Sequence, residues 1–398
     1  MKTQSHKPRV VVVVGTRPDA IKLAPVIKKL NEASSGVQPI VVATAQHREM
    51  LDQVLELFHI VPDCDLDVMT TNQGLADLTS RVLRGMEPIL REFAPSLLMV
   101  QGDTVTAFAA GLAALYSKVP VAHVEAGLRS YDFEQPFPEE ASRRLVAVIT
   151  GIHFAPTPLA RENLMKESIP AESIVVTGNT VVDALEWFVS KPLAIEPTPI
   201  ADLRLENERI LLVTSHRRES WGRKLENICW ALRDIVERFG DVRVVYPVHL
   251  SPNVRNTVDP ILKDKARIHL LPPLVYATFI ELTGRSHIIL TDSGGIQEEA
   301  ATFHKPLLCL RNRTERPEAF AKGVAKLVGT DRAAIVHETT QLLENPKVYK
   351  AMVDGDNPYG DGRAAGRIVE ALGRWFRDET PLLESSREFR PASVEWVP

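Results

Sequence analysis

The sequence contains little cysteine, few aromatic residues and no excess of charge of either sign. Its 398 residues include 3 cysteines, Cys64, Cys229 and Cys309, which are far apart and form no CxxC pair. This pattern excludes a disulfide framework and a cysteine zinc site. Aromatic residues make up 6% of the chain, and 47 Lys and Arg stand against 51 Asp and Glu. A near-neutral chain with few aromatic side chains is not expected to bind nucleic acid.

Long hydrophobic runs are absent as well. The longest apolar stretch, residues 107–116, is about half as long as a membrane-spanning helix. The valine run 10–14 is too short for the core of a signal peptide, and no small-residue cleavage pattern follows it. We therefore expect a cytoplasmic protein without a membrane segment.

The sequence does contain a regular alternation of short β-branched runs with amphipathic segments of helical length. The hydrophobic fraction of 44% can fill large cores, and the length suggests two domains. Continuous apolar runs are typical of parallel strands that are covered on both faces. Strands are predicted at residues 9–14, 40–43, 97–100, 119–124, 174–177, 209–214, 242–247, 268–271, 288–291 and 306–310.

This pattern predicts an α/β protein with two Rossmann-like, doubly wound domains that face a central cleft. The first domain, residues 1–190, carries the candidate catalytic carboxylates, and proline-rich residues 191–207 are predicted to be a linker. The second domain covers 208–365. A C-terminal helix and tail, 366–398, are expected to pack back on the first domain, with the polar tail from about Arg377 loosely ordered.

The loop after the first predicted strand reads GTRPDAIK, residues 15–22. Gly15 permits a tight turn, and Pro18 suits the first turn of a following helix. Arg17 and Lys22 would then lie near a helix N-terminus, where anions bind. A solvated basic turn explains the composition equally well. The loop matches neither GxGxxG nor a Walker sequence, which argues against nicotinamide and P-loop ATP sites.

Carboxylates follow two later strands of the same half. Asp103 and Glu125 stand at predicted strand ends, and Glu139 and Glu140 follow in a PEE segment. Crowded acids shift one another's pKa values, as acid–base chemistry requires. Capping of a helix is the alternative for Asp103. We favour a catalytic function for Asp103 and Glu125, whereas spacing does not separate Glu139 from Glu140.

The second half offers a candidate anion site. His216 ends a predicted strand and is followed by Arg217 and Arg218, a group that suits either an anionic ligand or a solvated helix start. Residues 291–300, TDSGGIQEEA, place two glycines between a strand and a helix. Backbone N–H groups and the Ser293 hydroxyl can hold phosphate oxygens there, and an acid in the helix can accept from ribose hydroxyls. A plain tight turn is the alternative.

The sequence contains no complete metal-binding motif of the kinds considered. The HxE at 123–125 is not followed by PCxxC, and residues 63–67 lack the glycine and glutamate that complete a calcium loop. Neither HExxH nor GxSxG occurs. We therefore expect no metal and no cofactor.

Together these segments resemble the non-hydrolysing UDP-N-acetylglucosamine 2-epimerases of bacteria, over nearly the whole chain. The motifs that carry the resemblance are, in order, GTRPDAIK, TAQHREML, GDT, HVEAGLR, PEEASR, GNTVVDAL, HRRES, YPVHLSPNVR, TDSGGIQEEA, TERPEA and NPYGDG. It implies a GT-B fold, a homodimer and reversible conversion of UDP-GlcNAc into UDP-ManNAc without nicotinamide or metal. It also implies anti elimination of UDP to a 2-acetamidoglucal followed by re-addition, which supplies ManNAc for cell-surface polysaccharide.

The resemblance assigns residues to the site. The implied catalytic set is Asp103, Glu125, Glu139 and His216. The residues implied to hold the UDP part are Arg17, Lys22, Phe279, Ser293, Gly294, Gly295, Glu299 and Arg316. Gln46 and His47 lie in a segment that, in some members, contributes to a second, activating UDP-GlcNAc site.

Four positions depart from the usual pattern of the family. Asp19 conservatively replaces Glu and is expected on the helix side of the loop, and Gln101 replaces His before GDT. Phe137 replaces a Trp, which bears on sugar specificity, and Leu274 replaces a Gln, which bears on one uridine contact. Alternative activities are epimerisation of a related UDP-diacetamido-uronic acid, glycosyl transfer from a UDP-sugar by a GT-B enzyme, and hydrolysis to free ManNAc.

Overall fold

The structure is a computed structural model that describes residues 7–44, 48–70, 73–190, 208–217 and 220–391. These residues form two compact units. Unit 1 consists of the described residues up to Glu186 together with Gly360–Pro391, and unit 2 consists of those from Trp187 to Tyr359. The predicted linker, 191–207, lies outside the described residues. In the described part of the chain, no helix has both the length and the apolar character to cross a membrane.

Unit 1 contains one parallel sheet with helices between its strands. The strands are β1 (Arg9–Val14), β2 (Gln38–Ala43), β3 (Cys64–Asp65), β4 (Leu97–Gln101), β5 (Val121–Val124), β6 (Ile152–Ala155) and β7 (Ile174–Val176). Their order in the sheet is β3-β2-β1-β4-β5-β6-β7. The helices are α1 (Arg17–Leu30), α2 (Arg48–Leu57), α3 (Leu75–Phe93), α4 (Val105–Tyr116), α5 (Glu139–Ile149), α6 (Pro158–Lys166) and α7 (Thr180–Val189).

Unit 2 repeats this arrangement on a second parallel sheet. Its strands are β8 (Arg209–Thr214), β9 (Val242–Pro247), β10 (Ile268–Leu271), β11 (Ile288–Thr291), β12 (Leu307–Cys309) and β13 (Ala325–Leu327), in the order β10-β9-β8-β11-β12-β13. The helices are α8 (Arg223–Arg238), α9 (Pro252–Leu262), α10 (Tyr276–Arg285), α11 (Gly294–Thr302), α12 (Glu318–Ala321), α13 (Arg332–Glu344) and α14 (Pro346–Val353). A final helix, α15 (Ala364–Trp375), belongs to unit 1.

The central strands are runs of buried aliphatic residues. All five valines of residues 10–14 in β1 are at most 2% exposed, and residues 210–213 of β8 are at most 3% exposed. β-Branched residues fit the pleated sheet, and cover on both faces removes the alternation seen in half-exposed strands. Because the strands are parallel, the loops after β1, β4 and β5 leave one edge of the sheet in unit 1. The loops after β8 and β11 do the same in unit 2.

The segment that returns to unit 1 is held by α7. The Asp183 carboxylate accepts from the backbone N–H groups of Ala364, at 3.2 Å, and Ala365, at 2.9 Å, which begin α15. Burial raises the pKa of Asp183 to about 6. Gly362 has φ +68° and lies so close to the Glu186 carboxylate that no Cβ could be added there without moving it. The C-terminal segment of unit 1 is therefore fixed to the helix by which the chain leaves that unit.

The prediction of two doubly wound α/β domains is confirmed, and every predicted strand is present. The sequence prediction omits the short strands β3, β6 and β13. Strand β3 has two residues, β6 includes the buried His153, and only the first residue of β13 is buried. None of the three contains the run of buried aliphatic residues on which the prediction depends.

The expectation of a loosely ordered tail is wrong for residues 378–391. Phe389 is buried, and its N–H donates to the carbonyl of Val176 at 2.9 Å. Glu388 accepts from the N–H of Val176 at 3.1 Å and pairs with Arg161 at 2.7 Å. The tail therefore covers the outer edge of β7, which would otherwise offer unpaired backbone groups.

Candidate active site

The turn after β1 is closed by a buried carboxylate. Helix α1 begins at Arg17, as predicted, and Asp19 Oδ2 accepts from the backbone N–H groups of Gly15, at 3.3 Å, and Thr16, at 3.1 Å. Burial raises the pKa of Asp19 to about 7, and the nearby charge of Asp103 contributes to the rise. Asp19 lies on the helix side of the turn, as expected, because it is the third residue of α1, and its carboxylate reaches back to cap the helix N-terminus.

Glu125 follows β5 and is the centre of a buried polar cluster. Its backbone has φ +65°, which is unusual for a residue other than glycine. Its Oε2 pairs with Lys22 Nζ and accepts from Asn179 Nδ2 at 2.8 Å. Its Oε1 accepts from Gln101 Nε2 at 3.1 Å. The structure thus brings Lys22 to a carboxylate of the candidate catalytic set.

Asp103 follows β4 and does not cap the next helix. Thr104 is the N-cap of α4, since its hydroxyl accepts from the N–H of Ala107 at 3.1 Å. The Asp103 carboxylate instead pairs with Arg143 of α5, and its side chain keeps 23% exposure. The capping alternative for Asp103 is therefore wrong. Arg143 lies within the PEEASR motif but is absent from the residues that the sequence assigned to the site.

The structure separates Glu139 from Glu140. Glu140 is fully buried and accepts from the N–H groups of Ser130, at 2.9 Å, and Tyr131, at 3.2 Å, and from Arg143 at 3.2 Å. These contacts tie the loop before α5 to the helix. Glu139 begins α5 and is partly exposed. Glu139 is therefore the better candidate for contact with a substrate.

His123 lies in β5 beneath these carboxylates. Its Nε2 is 2.7 Å from the carbonyl oxygen of Gly102, and because a carbonyl only accepts, Nε2 carries the proton. Burial lowers the pKa of His123 to about 3, so the ring is neutral at physiological pH. Gly102 has φ +67°, a conformation that glycine adopts readily. The neutral ring therefore fixes the turn that presents Asp103.

In unit 2 the loop after β8 is held by Asp292. This buried carboxylate accepts from the Ser215 hydroxyl at 3.0 Å and from the N–H groups of His216, at 2.9 Å, and Arg217, at 3.0 Å. The His216 ring is 43% exposed and stacks on His249 with ring centroids 5.8 Å apart. The loop thus presents the His216 ring while its backbone is fixed.

The Ser-Gly-Gly segment forms the N-terminus of α11. Ser293 precedes the helix, and Gly294 and Gly295 begin it, so the glycine turn lies between strand and helix where the sequence placed it. The N–H of Ser293 donates to the Thr291 hydroxyl at 2.9 Å, whereas Gly294 and Gly295 lie in the first turn, where backbone N–H groups favour an anion. Arg316 packs closely against this turn: a Cβ added at Gly294 would be 2.6 Å from Arg316 Nη1. Arg316 is buried, and its Nε donates to Glu298 at 2.7 Å.

Two further predicted residues of unit 2 lie near α10 and α11. Glu299 is buried in α11, and its Oε1 accepts from the Tyr276 hydroxyl at 3.1 Å. Phe279 packs partly buried against the same apolar cluster as Leu274. The sequence analysis did not assign Tyr276 to the site, because no motif of charged or glycine residues surrounds it. Gln46 and His47 lie outside the described residues.

Comparison with known proteins agrees with this arrangement. A model of the family described as UDP-N-acetylglucosamine 2-epimerase matches residues 28–373. The UDP-N-acetylglucosamine 2-epimerase of Escherichia coli strain K12 is 48% identical over 372 residues, which cover 92% of this chain and 98% of that protein. The crystal structure of UDP-GlcNAc 2-epimerase from Neisseria meningitidis bound to UDP-GlcNAc is 46% identical, with a TM-score of 0.85, and covers 92% of this chain and 99% of that one. By its sequence and by its fold, the chain belongs to the UDP-N-acetylglucosamine 2-epimerase family.

Proposed function

We propose that this chain interconverts UDP-GlcNAc and UDP-ManNAc by anti elimination of UDP and its re-addition to a 2-acetamidoglucal. The observation that carries this proposal is the group of carboxylates after β4, after β5 and at the start of α5: Asp103, Glu125 and Glu139. Two of them have a buried cation as partner, Arg143 for Asp103 and Lys22 for Glu125. Family membership supports the same reaction.

The proposed binding of UDP uses unit 2 for most contacts. The backbone N–H groups of Gly294 and Gly295, the Ser293 hydroxyl and the guanidinium of Arg316 favour phosphate oxygens. Glu299 would accept from ribose hydroxyls, and Phe279 would contact the base. From unit 1, Arg17 and Lys22 are proposed to add positive charge. Charge that grows on the β-phosphate as UDP departs is thereby stabilised, with His216 as a further donor.

The proposed chemistry is led by departure of UDP, because the proton at C2 of the sugar is not acidic. The C1–O bond breaks with its electron pair going to the UDP oxygen, a carboxylate takes the C2 proton, and the C1–C2 double bond forms. Return of UDP to C1 requires an acid that delivers a proton to the other face of C2. Asp103, Glu125 and Glu139 are the proposed acids and bases.

The wider role follows from the same proposal. UDP-ManNAc would serve as a precursor of cell-surface polysaccharide, and Gln46 and His47 would contribute to a second UDP-GlcNAc site.

A homodimer is proposed as well. In its support, Leu115 and Tyr116 of α4 and Val148 of α5 are large apolar side chains with high exposure. Light scattering at several protein concentrations measures the mass, and a monomer at all of them contradicts the dimer.

The decisive experiment follows UDP-GlcNAc alone with the protein by NMR in deuterated water. We expect UDP-ManNAc to appear with deuterium at C2. UDP-ManNAc that keeps all its C2 protium contradicts elimination, and free ManNAc with UDP indicates hydrolysis. A substrate that changes only after a sugar acceptor is added indicates a glycosyltransferase. A parallel reaction with a UDP-diacetamido-uronic acid decides between the two epimerase substrates.

A further inference from the structure

Two neutral amide side chains hold the carboxylate of Glu125 from opposite sides. Gln101, the last residue of β4, donates to Oε1 at 3.1 Å, and Asn179, just before α7, donates to Oε2 at 2.8 Å. All three residues are buried, at 8% exposure or less. Sequence motifs assigned neither amide a role, although Asn179 lies in GNTVVDAL.

The orientation of the Asn179 amide is determined by its other contact. Its Oδ1 accepts from the backbone N–H of Val181 at 3.0 Å, in the first turn of α7. An N–H group only donates, so the oxygen of the amide must face Val181 and the nitrogen must face Glu125. Helix α7 therefore fixes a hydrogen-bond donor against the carboxylate.

The two amides differ from the charged and titratable groups that face the Glu125 carboxylate. Lys22 of α1 pairs with Oε2 and supplies one positive charge. His123 of β5 is neutral because burial lowers its pKa to about 3. The two amides add hydrogen bonds to both oxygens without adding charge. Donors that face a carboxylate favour its ionised form, and they disfavour the protonated form because that form brings a donor of its own.

We propose that Asn179 and Gln101 are positioning residues that hold Glu125 ionised and oriented for proton transfer at C2. This inference rests on the proposed function, in which Glu125 is one of the acid–base groups. A proton that Glu125 accepts during turnover is released readily, since hydrogen-bond donors face both of its oxygens. Glu125 would thus take the C2 proton as a base rather than deliver one as a stored acid.

The test replaces a donor by an acceptor of the same shape. In Asn179→Asp the cap of α7 is kept, because Asp also accepts from Val181, but a carboxylate oxygen now faces Glu125. We expect the acid limb of kcat/KM for C2 exchange to move up by about one pH unit or more. We expect kcat at pH 7 to fall about tenfold or more, with the Kd for UDP changed less than about twofold. Gln101→Glu should act in the same direction.

Asn163→Asp is the matched control. Asn163 is also a buried amide of unit 1, but its Nδ2 donates to the carbonyl of Gly127 at 3.0 Å and not to a carboxylate. This variant is expected to melt at a lower temperature and to keep the acid limb of the wild type. An equal shift in Asn163→Asp, or a wild-type profile in both Asn179→Asp and Gln101→Glu, overturns the positioning role. If Asn179→Asp does not fold, Gln101→Glu decides alone. A wild type that exchanges no C2 proton contradicts the proposed function itself, and the positioning role with it.

Discussion

In both units an aspartate follows the strand at the equivalent position of the sheet, but the two aspartates make different contacts. In each unit this strand, β4 or β11, lies beside the first strand of the sheet. Asp103 follows β4, is partly exposed and is held by the side chain of Arg143. Asp292 follows β11, is fully buried and is held by backbone N–H groups of the loop after β8.

The difference shows how the partners of a carboxylate indicate its role. A carboxylate that accepts from backbone amides fixes the loop that supplies them, as Asp292 fixes the loop of His216. A carboxylate that is held by one cation and keeps exposed surface remains accessible to a ligand, as Asp103 does. Asp103 and Asp292 follow equivalent strands, and their contacts distinguish a carboxylate that remains accessible from one that fixes a loop.

The largest expected effect comes from replacing each of the two aspartates by asparagine in separate variants. Asp103→Asn should lower turnover by about 10³-fold with little change in the Kd for UDP, because it removes a proposed acid–base group. Asp292→Asn should instead lower the melting temperature and weaken UDP binding, because the loop of His216 loses a charged acceptor. Turnover, calorimetric UDP binding and thermal melting are measured on both. Wild-type turnover in Asp103→Asn would contradict the assignment of different roles to the two aspartates.

The neighbouring glutamates repeat the comparison within one helix. Glu140→Gln should destabilise unit 1 by about 3 kcal/mol, because Arg143 and the loop before α5 lose a buried anion. Glu139→Gln should leave the melting temperature near that of the wild type and lower turnover by about 10²-fold. Thermal melting and C2 exchange are measured on each variant. The reverse pattern would show that Glu140 is the reactive residue.

Asp19 sharpens the comparison because it is held by backbone amides and yet has a raised pKa. Its pKa of about 7 in the folded protein exceeds the ordinary value of 3.8. Between these two pH values, Asp19 is protonated in the folded state and ionised in the unfolded chain. Stability from this group is therefore complete below about pH 4 and lost as pH rises through about 7.

Asp19→Asn removes that dependence, and Oδ1 of the asparagine can still accept from Gly15 and Thr16. Relative to the wild type, the variant should gain about 4 kcal/mol of stability between pH 4 and pH 8. Melting temperatures across this pH range check the prediction. A difference between variant and wild type that does not change with pH contradicts it.

The smallest effect is expected at the turn beside Asp292. Gly294→Ala places a methyl group where Arg316 Nη1 now lies, 2.6 Å from the added Cβ, and should weaken UDP binding about tenfold. A Cβ at Gly295 meets no atom within 4 Å. Gly295→Ala should therefore keep the melting temperature, and any loss of UDP affinity in it reports on the ligand rather than on Arg316. Equal affinity of Gly294→Ala and the wild type contradicts the packing argument.

The sequence predicted the strands and the positions of the site loops well, because both depend on local patterns. Buried aliphatic runs give the strands, and Gly15, Asp103 and Gly294 follow them within three residues. The contacts that define roles join distant residues: Lys22 and Glu125 are 103 positions apart, and Gln101 and Asn179 reach the same carboxylate from two other elements. No spacing rule links such positions, so Arg143, Asn179 and Asp292 were recognisable only as members of motifs.

The return of the chain to unit 1 through α15 has a consequence for synthesis on the ribosome. The last helix of unit 1 is encoded after the segment Trp187–Tyr359 of unit 2. At roughly 5–20 residues per second, translation of unit 2 takes on the order of 10–30 s. During that time Asp183 has no helix to cap, and the edge of β7 lacks its cover by the tail. Unit 1 therefore completes its fold only after unit 2 has left the ribosome.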